Sequence, residues 1–188
     1  VVTNETLKVM KQRRSVRQYD ARPVPDEMLE AILEAGLYAP SAMNQQKWHF
    51  TVVRNKSTLK KMVQITRENL LNSNVPFLIQ RAESDDYHTY YHASTVVIVS
   101  RDMEARFSEF DCAAAAQNIA LAAESLGIAS CIMTTAGFLF ASEKGQEMKG
   151  ALGIPQGYEH VCSIALGFRA GEHPSAPPRN REVFTYVR

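Results

Sequence analysis

The sequence predicts a mixed α and β fold in which helices pack around a small sheet. Three observations lead there. A chain of 188 residues falls in the size range of one domain and is long enough to bury on the order of 70% of its unfolded surface without disulfide or metal staples. Its 45% hydrophobic and 22% charged residues are those of an ordinary globular protein, which excludes disordered, collagen-like and coiled-coil classes. Helical spacings and short apolar runs also alternate along it, with no internal repeat.

In order, Thr3 or Asn4 caps a helix running to about Arg13, and Asp26 caps a second that carries Met28, Leu29, Ile32, Leu33 and Leu37 at helical spacing before stopping near Pro40. Trp48–Val53 reads as a strand, and Ser57 to about Leu71 as a helix. Residues 72–93, polar and holding Asp85, Asp86, His88 and His92, have no clear period and are expected as a mobile loop or lid. Thr95–Ser100 is a second strand. The helix over 109–126 ends at Gly127 in a left-handed stop, and seven of the fourteen residues in 112–125 are alanine, which suits close helix packing or a subunit interface. Ile128–Met133 is a third strand, Ser142–Leu152 a short helix and Glu159–Phe168 a final strand. The proline-bearing tail after Gly171 is too poor in apolar residues to fold alone, so it is expected to lie against something else. One domain, 1–188, with 170–188 as an extended C-terminal arm, is the organisation expected.

The net charge of +1 hides a split: residues 1–22 carry +4, residues 169–188 carry +2, and the body between carries −5. Two basic ends suggest a small anionic partner. Nucleic acid fits poorly, because no long basic stripe or helix-turn-helix signal accompanies them. No apolar stretch approaches the ~20 residues of a membrane span. Cys112, Cys131 and Cys162, an odd number and widely spaced, read as buried reduced thiols, and a cytoplasmic location is expected.

Several chemistries lack their signatures. There is no G-x-G-x-x-G after a strand, no phosphate-binding G-x-x-x-x-G-K-[ST], no H-E-x-x-H and no G-x-S-x-G. His88 and His92 would share a helical face, but two histidines in a polar segment are more often exposed side chains than ligands, and no metal is expected. Two segments carry more. Arg13-Arg14-Ser15-Val16-Arg17 offers guanidinium groups for bidentate contact with phosphate and a hydroxyl to complete a cradle; alone, it also fits a solvated basic helix end. Pro40-Ser41-Ala42-Met43-Asn44-Gln45-Gln46-Lys47-Trp48 is dense in amide and hydroxyl groups, and its amides could read the edge of a heterocycle such as the flavin pyrimidine ring; alone, it also fits a plain helix-to-strand turn.

Taken together, these segments resemble the FMN-dependent nitroreductase family along nearly the whole chain. Arg13-Arg14-Ser15-Val16-Arg17-Gln-Tyr followed by Pro23-Val24 resembles its opening motif, and Ala39-Pro40-Ser41 followed by Asn44, Gln46 and Trp48 its second. The alanine-rich 112–125 before Leu126-Gly127-Ile128, the turn Ala136-Gly137-Phe138, Leu152-Gly-Ile-Pro155 and Ile164-Ala-Leu-Gly167 are similar to later landmarks, and Arg179 and Arg181 to a closing basic pair. Lys47 replaces the proline that usually precedes the tryptophan, Ala136 stands where some members carry glutamate, and the variable segment around 72–93 is short.

The resemblance implies an α+β nitroreductase-like fold with a mostly antiparallel central sheet, and an interlocked homodimer with FMN at its interface. It implies that Arg13, Arg14 and Ser15 hold the phosphate and ribityl end with Arg179 and Arg181. Arg17 would face N1 and the C2 carbonyl, and Asn69 the pyrimidine edge. Backbone amides around Ala136 and Gly137 would approach N5, and Pro40, Ser41 and Asn44 would come from the other subunit. The activity implied is ping-pong transfer from NADH or NADPH, through the flavin, to a small electron-poor acceptor of nitroaromatic or quinone type, with no dedicated acid or base. A flavin-binding sensor, or the same fold running reductive dehalogenation or flavin chemistry, are the alternatives.

Overall fold

In the computed structural model, which describes residues 2–188, the elements run α1 (Glu5–Gln12), α2 (Asp26–Leu37), β1 (Trp48–Val53), α3 (Lys56–Leu71), α4 (Pro76–Glu83), β2 (Thr95–Asp102), α5 (Ser108–Ser125), β3 (Ala129–Met133), α6 (Glu143–Ala151) and β4 (Tyr158–Gly167). Short 3-10 turns cover Ala42–Asn44 and Thr135–Phe140. The strands lie in the order β1-β2-β4-β3, and every pairing is antiparallel.

The central strands are apolar because both faces are covered. Successive side chains point to opposite faces, so Val97, Val99, Ile164 and Leu166 pack with α2 and α5. Val96, Ile98 and Ala165 pack on the other face with α3, α6 and the 135–140 turn. Helices thus sandwich one sheet. The alanine-rich α5 lies directly on α2, where Asn118 Nδ2 donates to Ala35 O at 3.1 Å. Gly127, at φ 73, reverses the chain from α5 into β3, and Ile128 N donates back to Ala123 O at 2.9 Å.

Asn4 caps α1 by accepting from Leu7 N at 2.9 Å, and Asn55 caps α3 by accepting from Thr58 N at 3.0 Å. Asp26 does not cap α2. Pro25 holds that position with φ −58, and Asp26 lies in the first turn, where it pairs with Arg54 and still suits the helix dipole.

The expectation of a loop over 72–93 is corrected for Pro76–Glu83, while 72–75 and 84–93 are turns and bends. Pro76 opens α4 at its first position, where a missing N–H costs nothing. Arg67 of α3 then fixes its other end, donating from Nε to Ala82 O at 2.8 Å. The segment closes with Tyr90 fully buried. Beyond β4, Ala170 N donates to Gln18 O at 3.0 Å and His173 Nε2 lies 3.2 Å from Glu124 Oε1. From Pro174 to Arg188 there is no helix or strand, and every residue is exposed. All three cysteines are free and buried.

Candidate functional site

β3 is an edge of the sheet, and the segment leaving α1 covers it. Ser15 bridges Ser130 in parallel, and Val16 N donates to Ser130 O at 3.0 Å. Val16 is buried, and strand alternation therefore turns Ser15 and Arg17 the other way. Tyr19 anchors the register, its hydroxyl donating to Val16 O at 2.8 Å; burial raises its pKa well above the usual phenol value, so it stays protonated.

Polar atoms at this junction lack partners. Arg14 Nη1 donates to Arg13 O at 2.6 Å, but Arg14 Nε and Ser130 Oγ are buried without one. Among the described residues no carboxylate lies within ion-pair distance of Arg13, Arg14 or Arg17. A buried donor and uncompensated guanidinium groups on one edge are the features an anion would satisfy.

Arg17 stands at a polar cavity of about 270 Å3 that also includes Arg81, Tyr87, Thr89, Tyr91 and Cys131. Tyr91 links its two cations: Arg81 Nη2 donates to the Tyr91 hydroxyl at 2.7 Å, and the Arg17 and Arg81 guanidinium carbons lie 5.9 and 5.6 Å from the ring centroid. The Tyr91 hydroxyl raises the Arg17 pKa above its ordinary value, outweighing desolvation, so Arg17 remains a fixed positive charge. Burial raises the Cys131 thiol, which is therefore protonated rather than nucleophilic. Arg81 and Tyr91 lie in the stretch expected as a loop or lid, where the tyrosines at 87, 90 and 91 are the sequence signal for a lining.

The 135–140 turn follows β3 directly. Ala136 is 1% exposed, and Gly137 N donates to Thr134 O at 2.8 Å, so the Gly137 amide is engaged within its own turn. A Cβ on Gly137 would lie 2.8 Å from His160 Nδ1, which is why the position takes glycine. Asn69 Nδ2 donates to Phe138 O at 2.7 Å and holds the turn against α3.

Pro40–Asn44 sits elsewhere. Asp111, at the start of α5, accepts from Ala42 N at 3.1 and 3.2 Å, and Ser41 Oγ accepts from Gln46 N at 3.1 Å. Asn44 Oδ1 accepts from Gln46 Nε2 at 3.0 Å, and Met43, Asn44 and Gln46 all have left-handed φ. Asp111 lies in the first turn of α5 and Ser130 in β3, beyond the other end of that helix, and Leu166 opposite Ser130 is seven residues along β4 from Glu159, level with Trp48 through Arg101. At about 3.3 Å per residue these ends lie roughly 20 Å apart. Arg179 and Arg181 lie in the exposed C-terminal segment, where Arg179 Nη1 donates to Pro177 O at 2.9 Å.

Comparison with known proteins decides the family. Residues 10–168 match the Nitroreductase family. The chain belongs to the nitroreductase family. A nitroreductase from Bacteroides fragilis with bound FMN superposes with a TM-score of 0.93 at 38% identity, over 99% of this chain and 100% of that one. A nitroreductase from Desulfitobacterium hafniense, also with bound FMN, gives 0.90 at 34% identity over 100% of both chains. An FMN-dependent nitroreductase from Clostridium difficile gives 0.84 at 25% identity over 97% of this chain and 99% of that one. The α+β nitroreductase fold and antiparallel sheet expected from the sequence are therefore found. Among the described residues of this nitroreductase-family chain, no group of three potential metal ligands gathers. His88 and His92 do approach, with ring centroids 4.0 Å apart, but in a turn rather than a helix.

Proposed function

We propose that this chain is an FMN-dependent oxidoreductase that works as a homodimer. The observation that carries this reading is the edge Arg13-Arg14-Ser15 with its unpartnered buried donor, running into the Arg17 cavity. That arrangement fits a ligand with a phosphate at one end and a polar heterocycle at the other. Arg13, Arg14 and Ser15 would hold the phosphate. Arg179 and Arg181 would join them, because the nine residues from Ala170 to Arg179 reach up to about 30 Å when extended. Arg17 would face the pyrimidine side of the ring, with Arg81 behind it through Tyr91.

Bound FMN supplies the redox chemistry, accepting hydride from NADH or NADPH and passing reducing equivalents to an electron-poor acceptor such as a nitroaromatic or quinone. The residues of the chain position and tune. Arg17 would set a permanent positive charge beside the ring, where reduction builds negative charge. Ala136 and Gly137 lie on the turn that Asn69 pins, which would give the ring a rigid floor. No side chain is needed as general acid or base, and one pocket open to donor and acceptor in turn would give ping-pong turnover.

The homodimer reading is supported by what one copy leaves uncovered. None of the α1 residues is buried, and Tyr38, Met43 and Phe110 are 79%, 79% and 76% exposed around the Pro40–Asn44 turn. The outer edge of β1 has no strand beside it among the described residues. An apolar groove of about 360 Å3 next to it, floored by Leu33, Phe50 and Val52 and rimmed by Glu30 and Glu34, suits the exposed Phe184 and Tyr186 of a basic arm. With the turn and the Arg13 edge of one copy some 20 Å apart, a second copy would deliver its Pro40, Ser41 and Asn44 to the first copy's FMN.

The test is a visible spectrum of the protein reconstituted with FMN. The flavin band should persist through desalting, bleach anaerobically with NADH or NADPH, and return on addition of a quinone. A protein that stays colourless would contradict the cofactor; one that stays oxidised with both nucleotides would contradict the activity.

A further inference from the structure

The wall of the Arg17 cavity has a second face. Tyr87, Thr89 and Tyr91 line that cavity, whereas His88 and His92, alternating with them, line a separate cavity of about 660 Å3 on the other side. Ala21, Pro23, Leu59, Val63 and Ala93 make most of its surface apolar. Arg54, Lys56 and Lys60 supply the charge, and no carboxylate lines it. Arg54 is already committed to Asp26 and to Val24 O. Lys56 and Lys60 are exposed and form no ion pair among the described residues, and their i, i+4 spacing on α3 puts both on one face near the positive end of the helix.

The histidine side adds polar capacity. His88 Nδ1 accepts from Tyr90 N at 3.2 Å and from His92 N at 3.1 Å, so its ring is neutral and its proton sits on Nε2. Ser94 Oγ, also at this cavity, is buried without a hydrogen-bond partner. The volume lies in the ordinary range of small-molecule sites, about 300–1,000 Å3.

We infer that this cavity binds a small organic anion, an aromatic or otherwise flat apolar body carrying one carboxylate that pairs with Lys56 and Lys60. Its occupant touches the turn that holds Tyr91. Tyr91 and His92 both have left-handed φ, 53 and 60, a conformation that neighbouring contacts must maintain. A ligand that braces His88 and His92 therefore also braces Tyr91 between Arg17 and Arg81, and couples the two cavities. By linkage, each ligand then changes the affinity of the other by the same factor. The coupling rests on reading the Arg17 cavity as the flavin site; the binding does not.

Calorimetric titration of 2-naphthoate into the FMN-loaded protein tests both parts. One naphthoate per chain should bind without displacing FMN. Affinity should fall about tenfold or more in Lys56→Gln/Lys60→Gln, and by a similar factor for the neutral 2-naphthalenemethanol. Val63→Phe, which fills the cavity from α3, should abolish binding while the far-ultraviolet circular dichroism is retained. The FMN dissociation constant with and without saturating naphthoate should differ at least about threefold. Absence of saturable binding, equal affinity in the double lysine variant, or competition with FMN would overturn the site, and an unchanged FMN constant would overturn the coupling. If the chain holds no FMN, the same titration of the flavin-free protein still decides the site, and only the cofactor reading falls.

Discussion

Tyr91 spends its hydroxyl on Arg81 and its ring on two guanidinium groups, in a backbone conformation that few tyrosines adopt. Tyr91→Phe keeps the ring and removes one charge-assisted hydrogen bond. Freed from it, Arg81 and Arg17 lose their fixed spacing, and FMN binding, followed by quenching of flavin fluorescence, should weaken about three- to tenfold. Gly137 makes a different demand. Alanine there would place its Cβ 2.8 Å from His160 Nδ1, an overpacking that should cost about 1–3 kcal/mol in urea denaturation. Gly137→Ala combined with His160→Ala should be less unstable than the sum of the single changes, because the larger neighbour is gone. Glycine at 137 was legible in the sequence as part of a motif, but its physical reason was not, since His160 reaches it from β4, far away in the chain.

At the scale of elements, Asn69 distinguishes support from contact. As a clamp on the 135–140 turn, Asn69→Ala should lower stability by about 1 kcal/mol and loosen FMN while leaving the flavin midpoint potential unchanged; a shifted potential would return Asn69 to the ring edge. His88 and His160 give the stability a pH dependence. Burial, aided at His88 by His92, pushes each down to about 4 from the ordinary 6.5, so both are neutral in the folded protein. The unfolded chain takes up protons below about 6.5 and the folded one only near 4. The stabilising effect is therefore complete above 6.5 and is lost as pH falls towards 4, with a slope of up to about 1.4 kcal/mol per pH unit for the more buried His160. Urea midpoints at pH 7.5 and 5 should differ, and His160→Gln should narrow the gap.

The same elements show what periodicity can and cannot reveal. β1 and α3 were readable because their apolar spacing and caps are local. α4 was not: it is eight residues long, and its last carbonyls are satisfied by Arg67 from another helix. Asp26 misled because the residue before it, Pro25, already had the extended backbone that the cap position requires.

For the whole molecule, the division of charge seen in the sequence takes on spatial meaning. The basic N-terminal segment becomes the covering of β3, and the basic C-terminal segment leaves beside α5, where His173 meets Glu124, and is exposed from Pro174 onward. The arginine edge was legible because its residues are contiguous. The contribution of Arg81 and Tyr91 was not, because only folding carries residues 81 and 91 to residue 17. Removal of residues 172–188 should release FMN and weaken self-association, as measured by sedimentation of the flavin-loaded protein; retention of both would show that the arm serves neither.

On the proposed function, one FMN is held by Arg13–Arg17 of one copy and Pro40–Asn44 of another. Mixed dimers test it most directly. One chain carries Arg13→Ala and Arg17→Ala, the other Ser41→Ala and Asn44→Ala, and neither variant should hold FMN as a homodimer. A shared site predicts one FMN recovered per mixed dimer, since one of its two sites then combines an intact edge with an intact turn. Mixed dimers that bind no FMN would contradict a shared site and place each site within a single chain.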